Sequence, residues 1–259
     1  MTPPAIAMII AAIFGLCVGS FLNVVIARLP AGRSIVYPGS SCPRCDKPIA
    51  WYDNLPVLSY ALLRGRCRNC QASISWRYPA VEVGCGVLFV LAYHRFDSGL
   101  VLASALVLLA GLVAITVIDL DHQIIPDVLS LPGVALGLVF SVAPGGIGWM
   151  DSLLGILVGG GVFLVIILAS TLVIGQAGMG VGDVKLGAML GAFLGWKLAL
   201  LSILLSMLLG GPLAATLLAT GRKGRKDPIP FGPFLALGGL ISLFWGGDLL
   251  GWYFSQFLD

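Results

Sequence analysis

The chain has 259 residues, 58% of them hydrophobic and only 10% charged, with a net charge of +3. A soluble domain of this length carries roughly a quarter charged residues, so a water-soluble globular fold is excluded. The cations flank apolar runs instead of gathering on one face, which argues against a nucleic-acid partner.

Apolar runs of roughly 20 residues, each long enough for a hydrocarbon core of about 30 Å, recur along the chain. The first, within MTPPAIAMIIAAIFGLCVGSFLNVVIA, has no basic residue before it. Arg28 and Arg33 follow it, which is the pattern of a retained span and not of a cleaved signal. The pattern predicts spans over 5–27, 79–95, 99–118, 128–145, 151–174, 185–196, 198–219 and 231–250. The sixth is short, so it and the seventh are expected to be bent or unequal. The expected fold is an all-α polytopic membrane protein of about eight transmembrane helices. Its regions are a first helix at 1–27, a cytoplasmic loop at 28–78 and a helical membrane core at 79–259. No internal repeat stands out, and the glycine enrichment suits close helix packing in lipid.

Charge sets the orientation. Eight cations from Arg28 to Arg77 lie in the first loop, Lys185 lies between the fifth and sixth spans, and Arg222, Lys223, Arg225 and Lys226 lie in the last loop. With the N-terminus outside, only Arg95 and Lys197 face outward, in keeping with the positive-inside rule. The basic loop residues read as topology determinants and lipid-headgroup contacts.

The first loop carries SCPRCDKP and RCRNC, with Cys42, Cys45, Cys67 and Cys70 in two CxxC pairs separated by 21 residues. Such pairs suit a tetrahedral zinc site, and four thiolates leave no open position, so that zinc would be structural. A reducing cytoplasm disfavours two disulfides. Redox-active or unligated thiols are the alternative. Cys17 and Cys85 fall within spans and read as packing residues.

IDLDHQIIPD, with Asp119, Asp121 and Asp127, closes the third span, and GMGVGDVKLG, with Asp183, joins the fifth to the sixth. Both emerge on the cytoplasmic side. Ionisable groups at membrane depth commonly mark a functional site. Two neighbouring carboxyls titrate as a pair, and one protonated and one ionised group can share peptide hydrolysis between them. Gly180 and Gly182 would let a substrate backbone approach, and Lys185 would favour an ionised carboxylate. Read as structure alone, the aspartates are helix caps and the glycines a tight turn. His94 and His122 are isolated and read as structural.

At these motifs the sequence resembles the type IV prepilin peptidases. The similarity runs through GSFLNVVIARLP at 19–30, both Cys pairs, SWRYPAVE at 75–82, IDLDHQIIPD at 118–127, GMGVGDVKLGAMLGAFLGW at 178–196 and IPFGPFLALGG at 229–239. The family pairs an aspartate six residues before the Ile or Leu of an I/L-P-D turn with the aspartate of GxGD. Ile125 is that residue here, so the resemblance selects Asp119 over Asp121 and pairs it with Asp183 as the catalytic dyad. It implies prepilin or type II secretion pseudopilin substrates, cut after a Gly on the cytoplasmic side of a bacterial inner membrane. It also implies N-methylation of the new terminus with S-adenosylmethionine, although no soluble-type cofactor fingerprint is visible and the cofactor-binding residues are not identified. Glu82 reads either as a buried partner of a basic residue or as part of that site.

Two other classes compete. In a proton- or cation-coupled transporter the aspartates would be an ion site, but such proteins show repeated halves and a midplane site. A non-enzymatic assembly factor would dock partners on its zinc loop and need neither aspartate.

Overall fold

The computed structural model describes residues 3–96, 99–175, 179–221 and 230–257. Its helices are α1 (Pro3–Arg28), α2 (Leu58–Leu62), α3 (Arg77–Arg95), α4 (Leu100–His122), α5 (Asp127–Ser141), α6 (Trp149–Ile174), α7 (Val181–Ala219) and α8 (Gly232–Phe257), with a 3-10 turn at Trp51–Asn54. Among the described residues β structure is confined to two isolated bridges. The basic run Arg222, Lys223, Arg225 and Lys226 lies outside the described residues, as does Gly178 of the glycine motif.

Five of these helices are long and apolar enough to cross a membrane, within Ala5–Arg28, Leu100–His122, Trp149–Val173, Val181–Leu217 and Gly232–Gln256. Helix α5 is apolar but shorter, and α3 carries Arg77, Glu82 and Arg95. The helix boundaries extend the expected ones where the aspartates lie. Helix α4 continues to His122 and α7 begins at Val181, so Asp119 and Asp183 are helical residues and not loop residues.

The chain forms two compact units, Met1–Asp97 and Ser98–Asp259. In the first, α1 packs on α3 through a GxxxG pair. A methyl group at Gly15 would lie 2.7 Å from the Cys85 carbonyl oxygen, and one at Gly19 would lie 2.7 Å from Glu82 Cα. Helix backbones come this close only where side chains are missing, and without water to drive association such contact is what joins helices in lipid. Phe89 and Cys85 are fully buried in this seam.

The second unit repeats the device. Gly155 and Gly159 of α6 meet Gly191 and Gly187 of α7 backbone to backbone, and Ser152 Oγ donates to the Ala192 carbonyl at 2.8 Å. Phe163, Leu186, Met189, Leu190, Ile115 and Leu235 fill the core between α4, α6, α7 and α8.

Helix α7 has 39 residues, roughly 58 Å if straight, nearly twice a hydrocarbon core. It breaks at Gly195, where φ is 76° and ψ 170°. Neighbours along α8 show what the break does. Leu190 lies against Gly239 and Leu198 against Gly246, after which Ser202 lies against Gly238 and Gly210 against Phe234. The chain runs along α8 and then returns. Gly195 is therefore a reversal between two arms, 181–194 and 196–219, which answers the expectation that the sixth and seventh spans are unequal.

Candidate active site and metal centre

Three chain segments converge at one end of the second unit: the last turn of α4, the first turn of α7 and the first residue of α8. Asp119 is 5% exposed and Asp183 7% exposed. They stand close enough for the charge of one to act on the other. Each carboxylate has a main-chain donor. The Gly232 N–H donates to Asp119 Oδ2 at 2.9 Å, and the Gly180 N–H donates to Asp183 Oδ2 at 3.2 Å.

Both donors sit at helix N-termini, since Gly232 opens α8 and Gly180 precedes α7. The first amides of a helix lack internal partners and carry partial positive charge, so an anion placed there is stabilised by about 0.3–1 kcal/mol, more when partly buried. The site thus receives two carboxylates by aiming two helix ends at them. Among the described residues, one oxygen of each accepts a backbone donor.

Packing fixes the three segments together. Gly182 abuts Ile125, where a methyl group would lie 2.9 Å from Ile125 Cβ. Gln123, left-handed at φ 55°, ends α4 by donating its N–H to the Asp119 carbonyl. Phe163 meets both Gly187 and the Phe231 ring, whose centroid is 5.9 Å away, so the residue before Gly232 is held by α6.

This changes the reading of the glycines. Gly182 is not an open approach for a peptide, because its missing side chain is the space into which the I-P-D turn packs. Gly180 is the open one: among the described residues nothing lies nearer its methyl position than Asp183 Oδ2 at 3.7 Å. Lys185 also differs from expectation. Its ammonium pairs with Asp127, tying α7 to the first turn of α5, instead of facing the aspartate pair. Asp127 is the first residue of α5 and not its N-cap, which is Pro126. Asp121 and His122 are exposed at the end of α4. Gly232 is the site residue that sequence reasoning missed. It lies 113 positions from Asp119, and only its place within IPFGPFLALGG hinted at a role.

The first unit holds the four cysteines. Their sulfur atoms all lie within 4.8 Å of one another, with Cys42 Sγ and Cys70 Sγ 3.8 Å apart. A tetrahedron with arms of about 2.3 Å separates its corners by about 3.8 Å, so the donor set fits a tetrahedral metal. All four are free thiols. The two CxxC turns are copies offset by 25 residues. Asp46 N–H donates to Cys42 O and Gln71 N–H to Cys67 O, Cys42 N–H to Lys47 O and Cys67 N–H to Ala72 O, and Ile49 N–H to Ser40 O and Ile74 N–H to Gly65 O. Asp46 and Gln71 share a left-handed backbone. In residue identity this local repeat shows only at the cysteines, at Ile49 and Ile74, and at Trp51 and Trp76.

Main-chain donors from Arg44 and Cys45 pull the Cys42 thiol down to about 6, toward the thiolate a metal needs. At Cys45 the Lys47 amide acts in the same direction but is outweighed by burial and the neighbouring thiols, which push it up to about 11.

Two loop arginines have structural posts beyond setting topology. Arg68 makes a two-pronged pair with Asp53 at 2.7 and 2.6 Å, which holds the Asp53 carboxyl below its usual range. Arg28 donates to the carbonyls of Ser34, Pro38 and Gly39. Glu82 is 8% exposed, and its partner is a main-chain amide instead of a basic side chain: Oε2 accepts the Val57 N–H at 2.7 Å. Cys85 is buried as expected, whereas Cys17 is exposed on α1.

Known proteins divide the sequence near the same place. Residues 13–96 match the bacterial peptidase A24 N-terminal domain, and residues 106–215 match the type IV leader peptidase family. A prepilin leader peptidase/N-methyltransferase of Aeromonas hydrophila is 39% identical over 270 residues, covering 95% of this chain and 93% of the relative. One from Stutzerimonas stutzeri is 39% identical over 273 residues, covering 96% and 94%. One from Myxococcus xanthus is 46% identical over 178 residues, covering 69% and 53%. No solved structure matches. With paired buried carboxylates in the region of the peptidase match and near-full-length similarity to such enzymes, the chain belongs to the type IV leader peptidase family.

Proposed function

We propose that this protein is a membrane aspartic endopeptidase that removes the basic leader of prepilins or pseudopilins and methylates the new N-terminus. Asp119 and Asp183 are the dyad. The ionised member takes a proton from water as its oxygen adds to the scissile carbonyl carbon, and the protonated member gives its proton to the carbonyl oxygen. Collapse then breaks the C–N bond, and the departing amine takes up a proton. The observation that carries this reading is the meeting of two buried carboxylates from separate helices, each gripped by one backbone N–H at a helix end.

The site works at the cytoplasmic face of a bacterial inner membrane, with α3 and α5 crossing alongside the longer helices. An apolar substrate helix lying in lipid against the enzyme delivers its cleavage point at that depth, which spares much of the entropy of capturing a free peptide. Cys42, Cys45, Cys67 and Cys70 would hold a zinc ion that orders the loop, with no coordination position left for chemistry. When bound, S-adenosylmethionine would supply the methyl group for the new terminal amine.

Asp119→Asn and Asp183→Asn each keep size and hydrogen bonding but cannot cycle a proton. Each is expected to lower prepilin cleavage in detergent or vesicles by about a thousandfold or more. Wild-type-like cleavage by either variant removes that residue from the mechanism.

A further inference from the structure

We propose that the face of α1 carrying Cys17, Phe21, Val24 and Arg28, with the cavity of about 420 Å³ between it and the loop segments at 35–40 and 54–56, seats an anionic glycerophospholipid. One acyl chain lies along the helix and the phosphate sits at Arg28. The paired carboxylates belong to the second unit, so this site is separate from the one that cleaves.

Helix α1 has two faces. Gly15 and Gly19 turn toward α3, where main chain meets main chain. At about 100° per residue, Cys17, Phe21, Val24 and Arg28 fall within about 60° of one another on the reverse side. Cys17 is exposed and Phe21 is 52% exposed, so in a spanning helix this side meets lipid. From Cys17 to Arg28 the helix rises about 16 Å, roughly half of a hydrocarbon core of about 30 Å. The ridge therefore runs the depth of one leaflet. Arg28, the last residue of α1, ends it at the level of the headgroups. With the N-terminus outside, that leaflet is the cytoplasmic one.

The chemistry at that end selects the charge of the lipid. Arg28 spends three N–H donors on the carbonyls of Ser34, Pro38 and Gly39. A guanidinium has five, which leaves two on Nε and Nη2, the edge with which Arg68 grips Asp53. Two phosphate oxygens suit that edge and the charge behind it. Arg33 brings a second guanidinium to the same helix end, where it donates to the Ala27 carbonyl at 3.3 Å. Among the described residues no carboxylate lines the cavity, so the ammonium of a zwitterionic headgroup would find no counter-charge there. Ser40 and Asn54 offer hydroxyl and amide groups to the glycerol. The cavity is of small-ligand size, enough for a headgroup and the start of one chain. Its loop walls are held from behind. Arg28 ties down the Ser34–Gly39 side, and Val57, which follows the 54–56 side, donates its N–H to the Glu82 carboxylate at 2.7 Å.

The test uses the full-length protein in vesicles of equal parts phosphatidylcholine and phosphatidylglycerol. A trace of either lipid carries a photoreactive group in one acyl chain. After irradiation, the ratio of phosphatidylglycerol to phosphatidylcholine tags should be highest on peptides within 17–28 or 35–56. Extra unlabelled phosphatidylglycerol should suppress those tags, and inorganic phosphate should not. Arg28→Gln should lower the phosphatidylglycerol tag about tenfold, the loss of one charge-assisted contact. That variant also releases loop carbonyls, so Gly39→Trp accompanies it. Gly39 lines the cavity, and among the described residues its methyl position meets nothing within 4 Å. Bulk there should lower the tag as far, with an unchanged melting temperature. A tag ratio no higher there than along Ser98–Asp259, or an unchanged tag in both variants, overturns the proposal. Competition by inorganic phosphate as strong as by the lipid would mark a site for a soluble anion. Competition by a prepilin but not by phosphatidylglycerol would mark a peptide seat, and either result overturns the proposal too.

Discussion

Gly232 shows how much one missing side chain governs. A methyl group there would lie 2.7 Å from Asp119 Oδ2 and 3.1 Å from its Cγ, too near for either to stay in place. Gly232→Ala should therefore push the Asp119 carboxylate off its backbone donor without disturbing the core. A displacement of about 1 Å at a reacting group lowers rate by about a hundredfold, so cleavage should fall by roughly that factor. Steady-state kinetics on a prepilin, with the melting temperature as control, checks it: the loss should appear in kcat more than in KM. Unchanged kcat would mean that the Gly232 amide does not position Asp119. The two aspartates themselves were legible, because the spacing of Asp119 from Ile125 and the GxGD around Asp183 are sequence-local. Gly232 was not, since a main-chain donor leaves no trace in residue type. Gly182 was misread for a related reason. A glycine that admits a substrate and a glycine that admits a neighbouring turn look alike until the neighbour, Ile125, is seen.

At the scale of elements, small residues spaced four apart hold the helices. The seam between α6 and α7 brings Gly155 against Gly191 and Gly159 against Gly187, so backbone touches backbone with no side chain to yield. Overpacking a seam usually costs about 1–3 kcal/mol, and here the obstructing atoms are main chain, which cannot rotate away. Gly191→Leu is expected to cost at least that much. It should lower the melting temperature in detergent by several degrees and lose cleavage with it, whereas a leucine at Gly161, where a methyl group meets nothing within 4 Å, should do neither. Equal melting temperatures for the two variants would refute the seam. The apolar runs made these helices readable by length, and two bent or unequal segments over 185–196 and 198–219 were expected. The position of the break was not. A chain with 35 glycines gives no local sign that Gly195 takes the non-helical conformation while Gly187 and Gly191 remain helical.

For the whole molecule, the two units are built on different principles, and that difference predicts how they fail. The Ser98–Asp259 unit has a continuous apolar core from Leu108 to Ala236 and the glycine-lined seam between α6 and α7. The Met1–Asp97 unit has one helix pair, and its loop between Arg28 and Arg77 buries very little: among the described loop residues Val36, Tyr37, Trp51 and Leu62 are each at least 74% exposed. A loop with so small a core is ordered by cross-links, and here these are the Arg28 and Arg68 clamps and the four sulfurs. Structural metal binding is folding free energy for such a segment. Replacing Cys42 and Cys45 with Ser halves the donor set, so bound zinc should fall from about one per chain to near none, measured by elemental analysis of purified protein. The loop should then become open to limited proteolysis between residues 34 and 75, while the second unit resists. If the cofactor is housed in the first unit, methylation of a cleaved pilin should be lost almost entirely while cleavage drops far less, and mass spectrometry of one reaction mixture reads both. Chelation of zinc from the wild-type protein should reproduce the same split, and restoring zinc should reverse it for the wild type but not for the serine variant. Cleavage and methylation that decline in step would instead mean that the loop serves both activities through one shared arrangement, such as the grip on the substrate.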